Sequence, residues 1–226
     1  MPRHRRFFVP GASVHVIHRG NNRTAMFSDD EDCETYLSML RTFTAKADIA
    51  VHGFALMKTH DHVLVTPPNA KALPDAMRRL GVTYVRYFNR KYDRIGTLFN
   101  ERYKGLIVED EGYWLRCLRY IDQNPVRAGI VSRPEDYSWS TYRLHIGLEN
   151  SDWIATHPVF EALGQESPQR RAVYQALCAT PLTQAELIAQ RTGTDPGRSQ
   201  VRPGSVPNRD SRSRVAAGSA TDLAAS

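Results

Sequence analysis

"IAVHGFALMKTHDHVLVTP", residues 49–67, is the stretch whose reading decides the fold. Two apolar runs, "IAVHGFALM" (49–57) and "HVLVTP" (62–67), are separated only by "KTHD". So short a connection joins antiparallel strands, because a parallel crossover needs a dozen residues or more. The same stretch carries a chemical signal. Side chains alternate along a strand, so His60 and His62 point one way, about 7 Å apart, and Asp61 points the other. Two imidazoles on one face can share a divalent metal. On spacing alone, such a pair without a third ligand is more often incidental.

The flanking sequence extends the pattern. "SVHVIH" (13–18) alternates and reads as a strand, followed by the polar loop "RGNNR" (19–23). Ser28 with Glu31 forms a capping-box pattern, and Tyr36, Leu37, Leu40 and Phe43 recur at helical spacing, predicting a helix over 29–46. Leu73, Met77, Leu80, Tyr84 and Phe88 predict a second helix over 71–91. "KGLIVE" (104–109) is a fourth strand, and "EGYWLRCLRYIDQN" (111–124) a third helix ended by Pro125. The order βαββαβ, then α, predicts an α+β fold: a ferredoxin-like sandwich with an antiparallel sheet and helices on one face.

Composition sets the outer bounds. Of 226 residues, 41% are apolar, enough for a core. The formal charge of +6 and a pI near 9.4 favour an anionic partner. No apolar run is long enough for a transmembrane helix, and "MPRHRRFFVPG" lacks the apolar centre of a signal peptide. Cys33, Cys117 and Cys178 are odd in number and widely spaced, giving neither a disulfide framework nor a metal knuckle, so a reducing cytoplasm is expected. Beyond about residue 165 the composition changes. The division expected is a body over 1–150, a helical extension over 151–192 and a disordered tail over 193–226, where there is almost nothing to bury.

Two further patterns bear on function. On the third helix Trp114, Cys117, Leu118 and Ile121 form an apolar arc, with Arg116, Arg119 and Gln123 roughly opposite. Tyr120 and Asn124, four apart, share the border between them. By itself this is also what an ordinary core-edge tyrosine looks like. Residues 78–104 hold eight cations (Arg78, Arg79, Arg86, Arg90, Lys91, Arg94, Arg102, Lys104) against two acids, Asp93 and Glu101. Tyr84, Tyr87, Phe88, Tyr92, Phe99 and Tyr103 are interleaved with them. Cations for phosphates and rings for unstacked bases are what a single nucleic-acid strand needs. Arg86, Arg90, Lys91 and Arg94 have no matching acids in the segment. Arg3, Arg5, Arg6, Arg19 and Arg23 add positive charge before the first acid, Asp29.

The blocks "HVIHRGNNR", "ALMKTHDHVLVTP", "MRRLGVTYVRYFNRKYDRIGTLFNERYK", "YWLRCLRYIDQNPVRAGIV" and "DYSWSTY", in this order from about residue 7 to 146, resemble the HUH single-tyrosine transposases. Within them the likeness is to the REP-associated branch. The resemblance implies that 1–150 is a catalytic domain that binds folded single-stranded DNA, a hairpin such as a REP-like palindrome. It implies cleavage with a divalent metal, Mg²⁺ or Mn²⁺, held by His60 and His62 with Asn124 completing the site. It implies Tyr120 as nucleophile, giving a 5′-phosphotyrosine whose ester a later 3′-OH can reverse to join strands. Arg19, Asn21, Asn22 and Arg23 of the "RGNNR" loop would touch the DNA. A monomer or homodimer at the nucleoid is expected. Asp61 departs from the family, which has a bulky apolar residue between the histidines. A carboxylate there needs exposure or a pairing Arg or Lys. Two other readings are a non-catalytic hairpin-binding protein and a zinc-stabilised domain without a nucleic-acid role.

Overall fold

Lys58 and Thr59 alone make the turn between the two central strands, with Met57 opposite His60 as the last pair. The computed structural model describes residues 9, 11–108 and 110–192. Arg3, Arg5, Arg6, Glu109 and the 193–226 segment expected to be disordered lie outside the described residues. The chain runs β1 (Ser13–Arg19), α1 (Asp30–Ala45), β2 (Ala50–Met57), β3 (His60–Thr66), α2 (Ala72–Lys91), β4 (Lys104–Val108) and α3 (Glu111–Asp122). Then come short helices α4 (Asn124–Arg127), α5 (Tyr142–His145) and α6 (Pro158–Glu161), and the longer α7 (Ser167–Ala179) and α8 (Gln184–Thr192). The four strands form one sheet in the order β2-β3-β1-β4, every pair antiparallel. The expected α+β, ferredoxin-like order of elements is present. His60 and Asp61, read from sequence as connection, are already paired in β3.

The sheet is covered on both faces. Val16, Val63, Val65 and Leu56 pack with Tyr36, Leu40, Leu73, Met77, Leu80, Tyr84 and Phe88 of α1 and α2. These two crossover helices lie on one face, as expected. The third helix does not join them: Trp114, Cys117, Leu118 and Ile121 pack with Ala55 and Leu64 on the opposite face. This explains why β3 reads as apolar at consecutive positions, since both sides of the strand are buried. Each fully buried large apolar side chain contributes roughly 1.5–3 kcal/mol.

Helix α1 starts differently from the expected capping box. Asp29 is the cap, accepting from Asp32 N at 3.0 Å, while Ser28 donates its own N–H to the Asp32 carboxylate at 2.8 Å. A carboxylate outcompetes the hydroxyl here because it also meets the positive end of the helix.

Of the expected polar arc of α3, Arg119 and Gln123 turn inward onto the C-terminal extension, while Arg116 lies over the Tyr113 ring of its own helix. Arg119 donates to Thr180 O at 2.7 Å and Gln123 to Cys178 O. Asp122, fully buried, accepts from Thr141 Oγ1 (2.9 Å), Tyr174 OH (2.8 Å) and His145 Nδ1 (2.6 Å). Burial alone would lower His145, but the Asp122 carboxylate carries it above its ordinary value.

The approach of α3 to β2 needs a glycine. A Cβ on Gly53 would lie 2.7 Å from Leu118 Cδ1 and 3.1 Å from Thr141 Oγ1, both fully buried. Gly53→Ala is expected to cost about 1–3 kcal/mol by overpacking, read as a lower urea midpoint. An unchanged midpoint would show that the contact relaxes freely.

Next to it, His52 bonds Ala155 O (2.9 Å) and Thr66 Oγ1 (2.8 Å). Burial pushes it down to about 4, the Ala155 carbonyl partly opposing. The unfolded ring takes up its proton near the ordinary 6.5 and the folded ring only near 4, so stability is lost as pH falls through that window. His52→Gln is expected to flatten that loss by up to about 1.4 kcal/mol per pH unit, measured by urea unfolding at about pH 7 and about pH 5. An unaltered slope would contradict the assignment.

Candidate functional site

The register of β1 on β3 assembles the site. Ile17 lies opposite His62 and Arg19 opposite His60, so His15, Ile17 and Arg19 share the α3 face with the two histidines. His60 and His62 meet edge to face, ring centroids 5.0 Å apart. His62 Nδ1 is 2.8 Å from His15 Nε2. Across the layer Tyr120 of α3 stands perpendicular to His62, centroids 5.4 Å apart, and 6.0 Å from His15. The Arg127 guanidinium lies 4.7 Å from the centre of the Tyr120 ring. Thus the imidazole pair and the phenol come together within one chain.

A cavity of about 140 Å³ opens at this point, lined by Ile17, Arg19, His62, Glu101, Arg102, Lys104, Tyr120 and Gln190. Arg19, Arg102 and Lys104 thereby join the histidine and tyrosine. Burial, with the Arg19 guanidinium in support, lowers His60 from its ordinary value. Burial sends His62 well below its own, with His15, His60, Arg19 and Arg127 pushing the same way. Both shifts favour the neutral ring, the form that donates a lone pair. Asn124 opens α4, one turn beyond Tyr120; it is buried, and its Nδ2 has no hydrogen-bond partner. Among the described residues no group of three or more His, Cys, Asp and Glu side chains is arranged to hold a metal ion.

The "RGNNR" loop sits beside the His60 end of the sheet. Gly20 N donates to Thr59 O and Asn21 N to Leu98 O, both at 2.8 Å. Asn21–Arg23 form a single 3-10 turn, with Asn22 (φ 48) and Arg23 (φ 58) in the left-handed region. A Cβ at Gly20 would meet Thr24 O at 2.0 Å, so this turn requires glycine.

The remaining expected DNA contacts lie elsewhere. Arg86 and Arg90 are exposed on α2, in the layer on the far side of the sheet. Arg94 places its guanidinium 5.5 Å from the Phe88 ring centre. Lys91 is not unmatched: it pairs with Asp29 (2.7 Å), Glu31 (2.9 Å) and Asp32 (3.0 Å). Its acids come from the start of α1, outside the segment whose charges were counted, and tertiary packing brings them over.

Asp61 takes neither of the exits expected for it. It is fully buried, and its partners are a histidine and a tyrosine rather than Arg or Lys. His18 N donates to Oδ1 at 2.6 Å, His18 Nδ1 lies 3.2 Å from Oδ2, and Tyr36 OH donates to Oδ2. Burial resists ionisation of Asp61, but His18 and these hydrogen bonds hold its carboxyl below the usual range.

Three residues at the site had not been singled out. His15 was visible in principle, since alternation in "SVHVIHR" puts it on the face of Arg19. Gln190, with neither amide atom partnered, and Arg127 reach the site only through helix packing that no local pattern announces.

The family model described as "Transposase IS200 like" matches residues 8–124. The chain belongs to the IS200-like transposase family. A solved structure of a REP-associated tyrosine transposase bound to a REP hairpin superposes with a TM-score of 0.56 at 16% identity, covering 69% of this chain and 93% of that one. This likeness establishes the fold. A protein assigned as a transposase from Deinococcus radiodurans R1 matches at 20% identity with a TM-score of 0.37, covering 50% of this chain and 89% of that one. No curated protein matches. No helix among the described residues of this transposase-family chain is long and apolar enough to cross a membrane.

Asp61→Ala would strand the buried His18 N–H without its side-chain acceptor and leave the Tyr36 hydroxyl only the 3.3 Å contact to His18 Nδ1. It is expected to lower the unfolding free energy by at least about 2 kcal/mol, read by urea denaturation. A loss below about 0.5 kcal/mol would show that water replaces the carboxylate.

Proposed function

We propose that this chain is a metal-dependent nuclease and strand transferase for single-stranded DNA folded as a hairpin, with residues 1–150 as the catalytic domain and 151–192 as a helical extension. The observation that carries the reading is the perpendicular packing of Tyr120 on His62, in a cavity rimmed by Arg19, Arg102 and Lys104. The relative whose structure contains a REP hairpin supports the choice of substrate.

The donor set suits Mg²⁺ or Mn²⁺: two neutral imidazoles, His60 and His62, with the Asn124 amide one helical turn past the tyrosine. When bound, such an ion supplies charge that polarises a non-bridging phosphate oxygen. The chain's own groups do the rest. Arg19, Arg102 and Lys104 offset the negative phosphate, which otherwise repels a nucleophile. The perpendicular stack on His62 and the Arg127 guanidinium over the ring orient the phenol. Tyr120 Oη attacks phosphorus and loses its proton to water. The bond to the 3′-oxygen breaks, and that oxygen takes a proton to leave as a 3′-OH. A 5′-phosphotyrosine remains, and the reverse step with another 3′-OH joins strands without ATP. Asn21, Asn22 and Arg23 are placed to touch the strand beside the site. Arg86 and Arg90 serve long-range attraction, and Lys91, held by three carboxylates, is left out of the DNA surface. Because one chain supplies both histidines and the tyrosine, a monomer suffices. A DNA substrate puts its work at the nucleoid.

One observation favours the non-catalytic, hairpin-binding reading. Tyr120 is 6% exposed, with Gln190 of α8 sharing its cavity. Incubation of labelled hairpin DNA with Mn²⁺, followed by a denaturing gel, separates the two. The enzyme yields a covalent protein–DNA band that Tyr120→Phe abolishes while hairpin binding persists. Binding without any adduct in the unmodified chain would establish the non-catalytic reading. Undiminished adduct from Tyr120→Phe would remove Tyr120 as nucleophile.

A further inference from the structure

His15 is fully buried on the sheet face that carries the two histidines, and the proposed chemistry gives it no part. Its Nε2 lies 2.8 Å from His62 Nδ1, and its Nδ1 is buried without a partner. One proton sits in the bond between the two rings, and there are two ways to place it. If His15 Nε2–H donates, neutral His62 carries its own proton on Nε2 and has no lone pair left for a cation. If His62 Nδ1–H donates to His15 Nε2, the His62 Nε2 lone pair is free, and the His15 proton moves to Nδ1. His15 Nδ1 is unpartnered in both, so it does not choose between them. A cation does, because it requires the lone pair.

We propose that His15 is a positioning residue for a divalent cation: by accepting from His62 Nδ1–H, it fixes the His62 tautomer and ring orientation that present Nε2 as a ligand. This rests on the reading of His60 and His62 as metal donors. It adds a residue from β1 to a site otherwise drawn from β3 and the segment after α3. The short β1–β3 register makes it possible, since His15 pairs with Leu64 and stands diagonal to His62.

The test is Mn²⁺ binding by the full chain, followed by calorimetry, in the unmodified protein and in His15→Phe, His15→Gln and His62→Ala. His15→Phe keeps a ring but no acceptor, and is expected to weaken Mn²⁺ about 10–100-fold. His15→Gln offers an amide oxygen at that side and should restore most of the affinity, although both variants alter the metal-free melting temperature similarly. Mn²⁺ binding by His15→Phe equal to the unmodified chain overturns the proposal and leaves the metal reading standing. So does an equal loss in His15→Phe and His15→Gln. If the unmodified chain and His62→Ala bind Mn²⁺ alike, the metal reading itself falls and His15 falls with it. Should His15→Phe not fold, imidazole ¹⁵N spectra of the unmodified chain decide, with Zn²⁺ as a diamagnetic probe. In the Zn²⁺-loaded chain, a through-hydrogen-bond ¹⁵N–¹⁵N coupling from His62 Nδ1–H to His15 Nε2 supports the proposal, and a His62 Nδ1–H without that coupling overturns it while leaving the metal reading standing.

Discussion

The head of β3 is a strand buried on both sides that nevertheless carries three polar residues in a row. Everything at the site follows from how that cost is met. On one side the Asp61 carboxylate is satisfied by His18 and Tyr36. On the other, His62 is tied to His15. Both His15 and His18 belong to β1, so one neighbouring strand answers both faces. A one-residue slip of β1 against β3 would exchange the faces, setting His15 toward Asp61 and His18 toward His62. The polar pairs therefore hold the register as firmly as the valines further along.

The second requirement is the placement of α3 on the far face. Asp122 fastens that helix to Thr141, His145 and Tyr174, and Gly53 lets it sit close to β2. Tyr120, two residues before Asp122, is thus fixed in depth and rotation by groups that take no part in the proposed chemistry. Arg127 then closes over the ring from the turn beyond. The tyrosine owes its address to packing, and the histidines owe theirs to sheet register.

How much of this was legible beforehand follows the same division. The two strands around residue 58, the helical spacing of Leu73 through Phe88 and the order of elements were plain in local pattern, because period and turn length are local properties. The sharing of a face by His60 and His62 was plain for the same reason. What local pattern does not carry is which side of a sheet a terminal helix chooses, and α3 chose the side without α1 and α2. Nor does it show charges that meet across the fold. Lys91 looked unmatched within its own segment, yet its three carboxylates stand at the start of α1. Asp61 looked like a fault for which an Arg or Lys was wanted, and the answer was a histidine and a tyrosine some distance away in sequence. His15 needed one more step, since the strand order that places β1 beside β3 was implied by the fold expected.

The sharing of Asp122 between α3 and α7 has a consequence for where this protein can be cut. The family model's match ends at residue 124, but the carboxylate two residues earlier is completed by Tyr174, 52 residues further along the chain from it. The end of the matched span and the end of the self-sufficient structure thus fall at different places along the chain. A fragment trimmed to the matched span would retain the Asp122 carboxyl inside a half-built layer, stripped of the Tyr174 phenol and the His145 imidazole. The later helices are structural, and excising them would unmake the scaffold beneath the tyrosine.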